Sequence, residues 1–88
     1  MGQTFGLMTF NTTHEAIQIK DILHENPDYT SSIISTPGSI SAGCGMSVRF
    51  NYDEKNAILQ LLADKGFSYQ QIYKGNRVGV KSTYELDQ

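Results

Sequence analysis

This chain has few of the residues that staple, charge or anchor a protein. Its 88 residues include one cysteine, Cys44, so no disulfide can close within the chain. There is no tryptophan, and there are only two prolines. Excess charge is scarce too: seven Lys and Arg against nine Asp and Glu leave a net charge of −2, which argues against nonspecific nucleic-acid binding. No apolar run approaches the ~18 residues a membrane span needs. The first residues do not join a basic stretch to a long apolar one, as a secretory leader would. The expectation from these absences is a reducing cytoplasm with no membrane contact.

What is present suits one small domain. The composition is 39% hydrophobic and 18% charged, and a chain this short can bury roughly 60 to 65% of its unfolded surface, enough to fold without metals or disulfides.

Phe5-Gly6-Leu7-Met8-Thr9-Phe10 reads as a strand, followed by Asn11-Thr12-Thr13, residues suited to start a helix. Thr12 and Glu15 have the spacing of a capping box, and Ala16, Ile19, Ile22 and Leu23 form an apolar stripe at helical period. Asn26-Pro27-Asp28 should end that helix. Tyr29 to Ile34 reads as a second strand, and Met46-Ser47-Val48-Arg49-Phe50 alternates as a third, with Met46, Val48 and Phe50 facing the core. A second helix is expected from near Asp53, with Ala57, Ile58, Leu61 and Leu62 inward and Gly66 as its stop. Phe67 to Tyr73 alternates as a fourth strand.

The order β-α-β-β-α-β predicts an α+β fold of the ferredoxin-like, split βαβ kind, an antiparallel sheet with both helices on one face. Residues 1–74 form that domain. Residues 75–88 contain Val78, Val80, Tyr84 and Leu86 without a clean period, and read as a partly ordered extension or as an edge strand able to pair with another chain.

The chemistry concentrates between the second and third strands, where a hairpin turn is usual but about ten residues intervene. Gly38, Ser39, Ser41, Gly43 and Gly45 surround Cys44 there. Gly43 and Gly45 permit positive φ on either side of the thiol, and a nest of amides with Arg49 as a nearby cation would activate it or hold an anion. Equally, Cys44 can be a small hydrophobe starting the third strand, with the glycines serving only the turn. His14 and His24 lie ten residues apart on the first helix, about 80° and ~15 Å from each other, so they cannot chelate one metal by themselves. Asp53-Glu54 reads as first-turn charge on the helix dipole, and Lys74, Arg77 and Lys81 as a solvated basic face. Tyr29, Tyr52, Tyr69, Tyr73 and Tyr84 should brace the edges of the sheet and helices.

Leu7-Met8-Thr9-Phe10, Thr12-Thr13-His14-Glu15-Ala16, Thr36-Pro37 and Ile40-Ser41-Ala42-Gly43-Cys44-Gly45-Met46-Ser47-Val48-Arg49-Phe50 together resemble the selenium/sulfur carrier-like family of small bacterial domains. The likeness covers roughly residues 5 to 74. In that family a serine-rich stretch typically precedes Cys-Gly, whereas Ala42-Gly43 stand here, a change that touches hydroxyl contacts more than the thiol. The resemblance implies a cytoplasmic bacterial carrier in which Cys44 holds sulfur or selenium as a persulfide or selenopersulfide between a donor and an acceptor protein. Such a carrier would require neither metal nor organic cofactor. A different class of reading is a noncatalytic module, holding a small anion in the 35–45 loop or a partner chain, such as a second copy, along the sheet edge.

Overall fold

The computed structural model describes residues 3–26, 29–40 and 43–87. Pro27, expected to end the first helix, and Ser41 of the cysteine loop lie outside the described residues. The elements are β1 (Gln3–Thr9), α1 (Thr13–His24), β2 (Ser31–Ser35), β3 (Met46–Phe50), a 3-10 turn at Tyr52–Glu54, α2 (Lys55–Lys65), β4 (Gln71–Val78) and β5 (Lys81–Leu86). They build an α+β protein whose five-stranded antiparallel sheet has the order β2-β3-β1-β4-β5.

This corrects the expected four-stranded ferredoxin-like sheet, because the tail adds a fifth strand outside β4. Gly79, at φ 63°, turns the chain after Val78, and β5 then pairs with β4 from Val78↔Lys81 to Tyr73↔Leu86. The left-handed position suits glycine, which has no Cβ to clash there. The tail is therefore an edge strand of its own sheet.

Alternation along the strands sorts the two faces. Met8, Phe10, Val48, Phe50 and Ile72 join Ala16, Ile19 and Leu23 of α1 and Ile58 and Leu62 of α2 in one core cluster. Two tight crossings pin the sheet's register. Gly6 is paired with Phe50 and Gly75 with Phe5, and in each case a Cβ on the glycine would run into the facing aromatic ring. The rings lie over the bare backbone of the next strand and recover burial that glycine alone cannot supply.

The helix ends form as their residues require. Thr12 accepts from the Glu15 amide while Glu15 reaches back to the Thr12 amide, a complete capping box. Gly66 closes α2 in the left-handed region at φ 76°, and the Phe67 amide bonds back to the Leu62 carbonyl at 2.9 Å. That bond explains why β4 starts at Gln71 and not at Phe67: Phe67 packs against the core as part of the helix stop. Ala57 is exposed, so the inward stripe of α2 is Ile58 and Leu62 with Leu61 at its margin. β2 begins at Ser31, two residues later than expected, and Tyr29 packs against the core from outside the strand.

The C-terminal end of β5 is tied down by a polar group that the sequence did not advertise. Asp87 accepts from Tyr52 Oη at 3.1 Å, forms an ion pair with Lys55, and donates its amide to the Ile72 carbonyl at 2.8 Å. The hydrogen bond from Lys55 holds the Asp87 carboxyl below the usual aspartate range, and the same bond raises Lys55.

Candidate functional site

Cys44 sits two residues before β3, partly exposed, with its side chain packed against the helix-side core. Its Sγ donates to the Met46 carbonyl at 3.2 Å. The thiol is thus neither sealed nor free-swinging: one side rests on apolar atoms and the other meets solvent.

Thr36, at the far side of the loop, braces the backbone on which Cys44 rides. Its amide donates to the Gly45 carbonyl at 2.8 Å, and its hydroxyl donates to the Cys44 carbonyl at 3.2 Å. A threonine hydroxyl has one proton, so the 2.6 Å contact between Thr36 Oγ1 and Ser47 Oγ has Ser47 as donor. Ser47 is fully buried, which makes this small network a fixed point for the backbone that carries Cys44.

The start of the cysteine segment is pinned against the end of the sheet. Gly43 donates its amide to Gln70 Oε1 at 3.0 Å, and a Cβ at Gly43 would lie 2.8 Å from the Asn11 Cα. Gly43 is required by close approach to backbone. Gly45 does not use the positive φ open to glycine, and a Cβ on it would meet nothing within 4 Å among the described residues. The Gly43 amide, engaged by Gln70, is also removed from the expected nest of free donors. Gly38 and Ser39 are exposed on the turn closed by Ile40 N to Pro37 O at 3.0 Å. Ile40 itself is buried, outside the helix-side core, and ties the loop down.

Arg49 is not brought to the thiol. It lies on the opposite face of β3 from Met46, Val48 and Phe50, with its guanidinium carbon 4.1 Å from the centre of the Phe5 ring. Strand alternation decides this: Arg49 is three positions from Met46 and one from Phe50, both odd steps. His14 and His24 are both exposed, and no group of metal-ligating side chains occurs among the described residues. No described helix is long and apolar enough to cross a membrane.

Sequence reasoning picked out Cys44 and its glycines but missed Ser47, just beyond the loop, and Asn11 and Gln70, which lie far from it in sequence. Only the pairing of β1 with β3 and β4 brings Asn11 and Gln70 to the end of the sheet that carries the loop.

No curated protein and no solved structure matches the chain. A family model does match, over residues 5–74, a span that contains the whole cysteine loop and the strands that brace it. On that match the chain belongs to the family described as Putative Se/S carrier protein-like.

Proposed function

We propose that this protein carries sulfur or selenium on Cys44, receiving the atom from a donor protein and handing it to an acceptor. The observation that supports this most strongly is a partly exposed, unpaired thiol on a braced loop, within the span that matches a Se/S carrier family. In the loading step the Cys44 sulfur, having lost its proton to solvent, attacks the outer sulfur of a donor persulfide. The new bond forms to that sulfur as the donor's own S–S bond breaks, and the donor leaves as a thiolate. Delivery reverses the roles, with an acceptor thiolate attacking the outer atom and Cys44 leaving. No net oxidant is consumed in either step.

The loop residues serve this exchange by shape. Gly45, with open space at its Cβ position among the described residues, leaves an approach to the sulfur, while Gly43, Gln70 and Thr36 hold the backbone still. To attack, the thiol turns away from the Met46 carbonyl; once loaded, the inner sulfur retains its seat on the core. Gly38 and Ser39 belong on the rim that partners touch. Incubation with a cysteine desulfurase and cysteine tests the reading: wild type gains one sulfur atom by intact mass, and Cys44→Ser gains none.

A further inference from the structure

At the other end of β3 from Cys44 is an open cleft of about 310 Å³, bordered by Phe5, Thr30, Ser31, Ser32, Arg49 and Asn51. The pairing Ser31↔Phe50 marks that end and Ser35↔Met46 the end carrying the thiol. Along β3, Met46 and Arg49 are three strand steps apart, about 10 Å, and Cys44 lies beyond Met46.

We propose that this cleft binds the oxyanion group of a small molecule, a phosphate or a carboxylate, with Arg49 as its anchor. The guanidinium is half-buried against Phe5, which fixes its position and takes part of its hydration, yet no hydrogen bond or ion pair among the described residues engages its N–H groups. A guanidinium presents five donors in a rigid fork that matches the oxygens of phosphate and carboxylate. Around it the described lining supplies hydroxyls from Thr30 and Ser32 and the side-chain amide of Asn51 and holds no carboxylate, while the neighbouring Glu54 carboxylate is engaged by the Thr30 amide at 3.3 Å. Ser32 pairs with Arg49 across the β2–β3 ladder and so shares its face. The volume suits a group of a few heavy atoms.

The test is a titration of the full chain followed by amide and Arg Nε–Hε NMR signals, with inorganic phosphate and acetate as separate probes and chloride at matched ionic strength as control. The expected result is saturable movement of Arg49, Ser32 and Asn51 signals with at least one probe, and the probe that saturates identifies the chemistry. Arg49→Lys keeps the charge without the fork and should weaken binding about tenfold, with spectral dispersion confirming its fold. Cys44→Ser should bind like wild type, because the cleft works independently of the thiol. Shifts that fail to saturate at about 50 mM, where any affinity is too weak to matter, would overturn the proposal. So would shifts reproduced by chloride or unchanged in Arg49→Lys.

Discussion

Cys44 Sγ points back at the carbonyl of Met46, 3.2 Å away and two residues on, so the thiol is tethered by the first residue of the strand it precedes. A serine hydroxyl can make the same contact. Cys44→Ser should therefore keep the fold, with unfolding free energy within about 1 kcal/mol of wild type in urea, while losing all sulfur loading. A collapse of stability in this variant would mean the sulfur serves packing first.

Accessibility follows from the same geometry. Because Cys44 is partly exposed and not enclosed, alkylation by iodoacetamide should proceed in the native state without unfolding. The check is the dependence of labelling rate on added urea: a native-state reaction is flat below the unfolding transition, whereas a buried thiol labels only as the chain opens.

The two glycines beside the thiol should respond in opposite ways. Gly43→Ala places a methyl 2.8 Å from the Asn11 backbone and should cost about 1–3 kcal/mol. Gly45→Ala meets nothing within 4 Å among the described residues, at a φ that is not positive, and should be neutral, or more stable by up to about 1 kcal/mol through the unfolded chain. Urea midpoints at constant m-value measure both.

Asp87 gives the protein a pH signature. Its carboxyl is lowered in the folded state by the Lys55 hydrogen bond, so its contribution is complete at neutral pH, above the unfolded value, and is lost as pH falls through the lowered folded value. Lys55 is raised by the same bond, so its contribution is complete below its unfolded value and is lost as alkaline pH passes the raised folded value. Asp87→Asn should flatten the acid limb of a plot of melting temperature against pH. An acid limb identical in both proteins would show that the group stabilises nothing.

Much of this fold was legible locally. β3 alternates cleanly from Met46 to Phe50, Thr12 and Glu15 form the capping box their spacing announced, and Gly66 stops α2 where a glycine was expected to. What misled was ambiguity between neighbours. Phe67-Ser68-Tyr69 alternates like a strand, yet Phe67 is taken by the helix stop, which shifts β4 four residues onward. β5 has weak alternation and earns its place through Gly79 and the Asp87 anchor, neither of which carries a periodic signal. At the candidate site the thiol was visible in sequence, but its supports Thr36, Ser47, Asn11 and Gln70 converge only when the sheet assembles. Arg49 looked close to Cys44 along the chain, and strand alternation put it on the other face.

The central claim is that one sulfur carries the cargo. Its most direct test is to supply radiolabelled cysteine and a cysteine desulfurase, isolate the protein, and count label released as sulfide by a reducing thiol. The account predicts close to one labile sulfur per wild-type chain and none in Cys44→Ser. An unlabelled wild type, under conditions that load an established carrier, would contradict it.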